Sequence, residues 1–73
     1  MNNYSIYQTI GKNIKKYRKI KNINQEELAN KTNLSYGYIK NLEAKNVHAT
    51  ISIETLNIIA NALDVKIGDL FED

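Results

Sequence analysis

The stretch QEELANKTNLSYGYIKNL, residues 25–42, decides the fold. Asn24 stands directly before it and is a favoured N-cap residue, so we expect a helix over about residues 25–31. Ser35 is a second favoured N-cap residue and predicts another short helix that ends near residue 43. The stretch therefore holds two short helices joined by a tight connection.

Small and apolar residues are spaced so that these two helices can cross closely. Ala29 supplies a small residue on the first helix, and Asn33, four residues later, tolerates the left-handed conformation that the turn requires. Leu34 is placed to fill the space beneath the turn. Ile39 and Leu42, three residues apart, form the buried stripe of the second helix. This combination predicts a helix-turn-helix over about residues 25–43.

Further helices are predicted on both sides of this motif. Ser5 is a good N-cap, and Gln8 three residues later completes a capping box for a first helix that Asn22 ends. Ser52 opens a fourth helix that ends at Asp64, and one short helical turn follows. Apolar residues recur at helical spacing in all three: Ile6, Ile10, Ile14 and Tyr17, then Ile53, Leu56, Ile59, Ala60 and Leu63, then Ile67, Leu70 and Phe71. We expect an all-α protein with five helices and no strand.

Length and composition narrow the class of protein. The 73 residues suit a single domain, and with no cysteine and one histidine they predict neither a disulfide framework nor a zinc site. No apolar run is long enough for a membrane span, and the N-terminus lacks a signal-peptide pattern, so we expect a cytoplasmic protein. His48, in a polar loop over residues 45–51, has no nucleophile or ligand partner. We expect no enzyme, no cofactor and no small-molecule ligand.

Charge is unevenly distributed along the chain. Residues 1–45 hold nine Lys or Arg and three acidic residues, whereas residues 46–73 hold one Lys and five acidic residues. Such asymmetry indicates a surface for a polyanion in the first part and a different role for the second. Lysines that merely solvate helix faces are the alternative interpretation.

At this point the sequence resembles the Cro/cI-type (XRE) helix-turn-helix family, over roughly residues 6–71. The matching stretches are Ile10-Gly11-Lys12-Asn13-Ile14, Arg18, Asn24-Gln25-Glu26-Glu27-Leu28-Ala29, Ser35, Tyr38-Ile39, Leu42-Glu43, and Glu54-Thr55-Leu56 through Ile59-Ala60-Asn61-Ala62-Leu63. The resemblance implies a compact five-helix, lambda-repressor-like domain. It also implies binding to duplex DNA, with the helix from about Ser35 to Glu43 in the major groove.

The same resemblance implies roles for single residues. Positions that usually face bases hold Tyr36, Gly37 and Asn41, and positions that lie near phosphates hold Gln25, Ser35, Tyr38 and Lys40. Lys45 is expected to face a phosphate as well, and Arg18 is expected to pair with Glu43 as a structural ion pair. Several of these have an alternative: Asn41, Tyr36 and the lysines can be solvated surface residues, and the Tyr38 hydroxyl can reach a phosphate or its ring can cover the helix surface.

Three departures from the family pattern stand out. Asn33 replaces the common turn glycine, and Gly37 has no side chain to contact a base. The loop between Glu43 and Glu54 is longer than usual and lacks the customary glycine and proline.

A single short recognition helix contacts few base pairs, so we expect a homodimer on a pseudo-palindromic operator with half-sites about 34 Å apart. The expected dimer interface is Ile67, Leu70 and Phe71. With no sensor domain in the sequence, regulation by concentration is expected, as in a phage-type repressor, a restriction–modification controller or a mobile-element autoregulator. The alternative is an antitoxin or adaptor whose main partner is another protein.

Overall fold

The computed structural model describes residues 3–45 and 49–73. Four α-helices follow one another: α1 (Asn3–Ile20), α2 (Gln25–Thr32), α3 (Tyr36–Glu43) and α4 (Ile53–Ala62), and a 3-10 helix spans Ile67–Phe71. The described ranges contain no strand, which confirms the all-α class. The fifth predicted helix is thus a 3-10 turn and not an α-helix. Within the same ranges, no helix is both long and apolar enough to cross a membrane.

Side-chain caps begin three of the helices where the sequence predicts. Asn24 accepts a hydrogen bond from the Glu27 amide at 2.8 Å, and the Glu27 carboxylate accepts one from the Asn24 amide at 2.9 Å. The Ser35 and Ser52 hydroxyls each accept from the amide three residues later. The prediction for Ser5 was wrong, because α1 already includes Asn3 and Ser5 lies inside its first turn.

Three residues in the left-handed conformation end helices and set the turns. Asn22, Asn33 and Asp64 have φ values of 60°, 59° and 59°. Asn and Asp are the non-glycine residues that adopt this conformation at least cost. The tight connection between α2 and α3 is therefore made by Asn33, whose amide donates to the Ala29 carbonyl, as the helix-turn-helix prediction requires.

One hydrophobic cluster joins all five elements. Its buried members are Ile10, Ile14, Leu28, Ala29, Ile39, Leu42, Leu56, Ile59, Ala60, Leu63 and Leu70. In the four α-helices the helical period therefore predicted the inward faces correctly with two exceptions. Ile53 is 69% exposed and Ile6 is 39% exposed, because each stands near the start of its helix, at the margin of the cluster. Both contribute to an apolar surface described below.

Two contacts of α1 position α3 and the 3-10 helix. Gly11 is buried where α1 crosses α3, and a Cβ built on it would overlap the carbonyl oxygen of Leu42. The buried Asn13 side chain donates to the carbonyl oxygens of Leu70, at 2.9 Å, and Glu72, at 2.5 Å. These two contacts hold α3 on one side of α1 and the 3-10 helix on another.

Candidate nucleic-acid interface

The outer face of α3 is exposed. Ile39 and Leu42 are buried in the cluster, so the helix turns its other side outward. That side carries the residues predicted to contact bases, together with Lys40: Tyr36, Gly37, Lys40 and Asn41 are all exposed. The Lys40 ammonium lies 5.8 Å from the centre of the Tyr36 ring, within the range of a cation–π interaction. The structure thus brings these four positions together on one continuous surface.

A buried ionic junction fixes the orientation of α3. The Arg18 guanidinium donates to both Glu43 carboxylate oxygens, at 2.8 and 2.9 Å, and to the Ile23 carbonyl at 2.9 Å. Its pairing with Glu43 raises the pKa of Arg18 above the ordinary value. The Gln25 amide donates to the same carboxylate at 3.1 Å. Because these residues lie on α1, α2 and α3, the junction joins all three helices, and Arg18 and Glu43 are placed together as expected.

The junction also places the amino end of α2 beside the recognition helix. Asn24, Gln25 and Glu26 line a shallow polar depression with Arg18 and Tyr36. One amide hydrogen of Gln25 is used by Glu43, and the other has no acceptor among residues 3–45 and 49–73, so it can donate to a ligand in the depression. Ser35 lies exposed at the start of α3, with its hydroxyl oxygen accepting from the Tyr38 amide at 3.0 Å.

Tyr38 is expected either to reach a phosphate with its hydroxyl or to cover the helix surface with its ring, and the structure shows it packed on the protein. Its hydroxyl donates to the Thr50 carbonyl oxygen at 2.9 Å, and its ring packs partly buried against the core. Burial raises the pKa of this hydroxyl above its ordinary value. A phenol has a single proton to donate, so in this conformation Tyr38 cannot donate to a phosphate. Its role here is to tie α3 to the segment that leads into α4.

A basic cleft lies at the carboxyl end of α3, where sequence reasoning assigned only Lys45. The cleft is lined by Lys12 and Lys15 of α1 together with Lys45, and the Gln8 amide donates to the Lys45 carbonyl at 3.1 Å. Sequence analysis gave Lys12 and Lys15 no role. Lys12 directly follows Gly11, which permits the close approach of the two helices, and Lys15 lies about one turn later.

The predicted dimer surface needs correction. Leu70 is fully buried in the core and is held beneath α1, so it cannot form an interface between folded copies. Ile67 is partly buried against the same core, and Phe71 is 44% exposed. Phe71, Ile6 and Ile53 instead line a shallow apolar groove between α1 and α4. We call Ile6, Ile53 and Phe71 the apolar surface.

His48 and its neighbours 46 and 47 lie outside the described residues. The structure therefore describes only the two ends of the predicted 45–51 loop. Among the residues described, no group of three or more His, Cys, Asp or Glu side chains is placed to hold a metal ion.

The sequence of this chain is similar to a family model and to known proteins. A family model described as helix-turn-helix matches residues 14–70. The control protein C.SmaI of Serratia marcescens is 37% identical over 65 residues, which cover 89% of this chain and 75% of that protein. The transcriptional regulator SinR of Bacillus subtilis is 34% identical over 64 residues, and the matched region covers 88% of this chain and 57% of SinR.

Solved structures agree with these relatives. The restriction–modification controller C.AhdI of Aeromonas hydrophila superposes with a TM-score of 0.83 at 25% identity, covering 92% of this chain and 98% of that one. SinR in complex with DNA superposes with a TM-score of 0.79 at 35% identity, covering 86% and 98%.

Proposed function

The chain belongs to the helix-turn-helix family, of the XRE type, and we propose that it regulates transcription by binding a specific duplex DNA sequence with α3 in the major groove. The observation that carries this proposal is the outer face of α3. Its exposed side chains include an amide, a lysine and a tyrosine, and no acid. The Arg18–Glu43 pair orients this face before DNA arrives, which reduces the ordering cost of binding.

Base contacts are assigned to the residues that project from this face. The Asn41 amide can donate to and accept from one adenine edge, and Tyr36 can contact a thymine methyl group. Gly37 lies in open space, since a Cβ built there would meet no atom within 4 Å, so it lets the helix approach the base pairs closely. Phosphate contacts are assigned to Gln25, Ser35, Lys40 and Lys45, from side chains or from amides near helix ends.

A restriction–modification controller is the specific kind of regulator that the relatives favour. C.SmaI is a control protein and C.AhdI is a restriction–modification controller, whereas the match to SinR covers a smaller part of that protein. We propose that this chain acts in the cytoplasm as a controller of this kind. A phage-type repressor or a mobile-element autoregulator would use the same DNA contacts.

The active species is proposed to be a homodimer that meets through the apolar surface. One eight-residue recognition helix contacts too few base pairs to specify a genomic site, whereas two copies related by a two-fold axis double the contacted sequence. Phe71 lies in an acidic part of the chain, which repels DNA and leaves this surface to a protein. A different partner protein on the same surface, as in an antitoxin or adaptor, is the competing outcome.

In vitro selection of bound duplexes, followed by titration of the selected sequence, tests the DNA-binding proposal. We expect Asn41→Ala to change the preferred base at one position of each half-site, because it removes a pair worth about 1–3 kcal/mol of discrimination. Lys40→Ala should weaken binding to all sequences alike, because it removes a phosphate contact. Asn61→Ala, an exposed asparagine on α4, serves as the control and should match wild type. Uniform loss of affinity in both α3 variants would contradict the assignment of Asn41.

Sedimentation equilibrium tests the dimer. Phe71→Ala is expected to give folded monomers with weakened operator binding, because the substitution removes the aromatic ring of the surface, which is 44% exposed. Ile20→Ala is the matched control, since Ile20 is 70% exposed at the other end of α1 and should leave the dimer intact. Dimers that persist unchanged in Phe71→Ala would place the interface elsewhere.

A further inference from the structure

We propose that Lys12 and Lys15 of α1 bind the DNA phosphate backbone, in the basic cleft between α1 and the carboxyl end of α3. The proposal rests on the proposed function, because it adds phosphate contacts on the duplex that α3 would occupy. It extends the interface beyond the helix-turn-helix to α1. The other contribution of α1 is structural, because Arg18 pairs with Glu43.

The cleft has a lining that suits a backbone phosphate. It measures about 740 Å³ and is partly open to solvent. Lys12 and Lys15 line it from α1, and Lys45 lines it from the residue that follows the end of α3. All three lysines are exposed. No ion pair joins Lys12 or Lys15 to an acid within residues 3–45 and 49–73.

The two walls of the cleft are held at a fixed separation. Gly11 stands directly before Lys12, and its lack of a side chain brings the α1 backbone against the Leu42 carbonyl. The Gln8 amide, one turn earlier on α1, donates to the Lys45 carbonyl at 3.1 Å. The lysine stems therefore start from a rigid base, although each ammonium group can adjust to a phosphate.

One acid also lines the cleft, and its charge is already neutralised. Glu43 would repel a phosphate if its carboxylate were unpaired. Both of its oxygens accept hydrogen bonds from Arg18, and one accepts a further bond from Gln25. The charge that the cleft presents to a ligand is consequently that of its lysines.

The position of the cleft beside the helix-turn-helix favours a nucleic-acid backbone as its ligand. Lys15 lies three residues before Arg18 on α1, and Arg18 meets Gln25 at the Glu43 carboxylate. The cleft and the polar depression at the amino end of α2, where a phosphate contact is proposed, therefore lie on either side of the Arg18–Glu43 pair. The regularly spaced phosphates of a nucleic acid suit a row of lysines. An acidic protein would need carboxylates placed at the same positions.

The salt dependence of operator binding tests this inference. Each neutralised phosphate contributes about 0.9 to the slope of log affinity against log salt. If Lys12 and Lys15 each neutralise one phosphate, Lys12→Gln/Lys15→Gln should make the slope shallower by about 1.8 for each bound protomer. Lys31→Gln/Lys66→Gln removes the same charge from exposed residues on α2 and just before the 3-10 helix, and should leave the slope at the wild-type value.

Ethylation interference supplies a second measurement on the same complexes. Phosphates whose ethylation blocks wild-type binding, but no longer affects the Lys12→Gln/Lys15→Gln variant, are the expected partners of the cleft. An unchanged slope in this variant, or an equal decrease in Lys31→Gln/Lys66→Gln, overturns the inference and leaves the proposed function standing. A wild-type protein that binds no selected duplex overturns both.

Discussion

Replacing Gly11 by alanine tests the close approach of α1 and α3, which determines where the recognition helix points. A Cβ at this position would overlap the Leu42 carbonyl oxygen and lie 3.1 Å from the carbonyl carbon of the same residue. Both partners in the clash are backbone, so no side chain can rotate away. The two helices must separate, and the packing of Ile10 and Ile14 against Ile39 must loosen with them.

The expected cost follows from two opposing terms. Alanine is favoured over glycine inside a helix by about 1 kcal/mol. Overpacking a well-packed contact costs about 1–3 kcal/mol, and we take the upper end because the backbone on each side is fixed by its own helix. The net loss is about 2 kcal/mol, which for a domain of this size lowers the melting temperature by roughly 8–16 °C.

Thermal unfolding followed by circular dichroism measures this loss, and the chain offers a matched control. Gly37 also lies in a helix, but a Cβ built on it meets no atom within 4 Å. Gly37→Ala should therefore melt at or slightly above the wild-type temperature, by up to about 1 kcal/mol of added stability. If Gly11→Ala melts within a few degrees of Gly37→Ala, the helices are not held together as described.

Two further substitutions test the site. Glu43→Gln leaves the buried Arg18 guanidinium without its counter-charge, and we expect a loss of about 3 kcal/mol in a urea titration; a loss below about 1 kcal/mol, typical of a surface pair, would contradict the role of the junction. Tyr38→Phe tests the bond to Thr50: burial raises the pKa of the Tyr38 hydroxyl, so folding favours the neutral phenol, and its stabilisation is lost as the pH rises beyond about 10. Wild type should consequently lose more stability than Tyr38→Phe between about pH 8 and pH 10.5. Equal losses would show that folding does not change the pKa of this hydroxyl.

Local interactions explain why the sequence predicted most of the helix boundaries. A cap such as Asn24 or Ser35 bonds to an amide three residues away, and Asn33 needs only its own tolerance of positive φ. The helical period likewise identified Ile39 and Leu42 as buried, because a period of 3.6 residues separates the two faces of any helix long enough to repeat it. The outer face of α3 lies opposite that buried stripe, so the same pattern also predicted which residues are exposed.

Contacts between residues far apart in the chain decided the rest. In the short last turn, Ile67, Leu70 and Phe71 are equally apolar, and only the position of α1 determines that Leu70 is buried and Phe71 exposed. Asn13 holds that turn through carbonyl groups 57 and 59 residues away. No periodic pattern encodes such a partner, because a backbone carbonyl is present at every residue.

The site divides in the same way. Its electrostatic character and the identity of the recognition helix were determined by the sequence, because charge and helical period are properties of residues and their spacing. The basic cleft and the engagement of Tyr38 with Thr50 were decided by the tertiary structure, because both depend on how closely α1 and the end of α3 approach and on where the chain returns after its loop. That approach depends on Gly11. The sequence shows that a glycine stands at this position, but only the structure shows that it accommodates the Leu42 carbonyl.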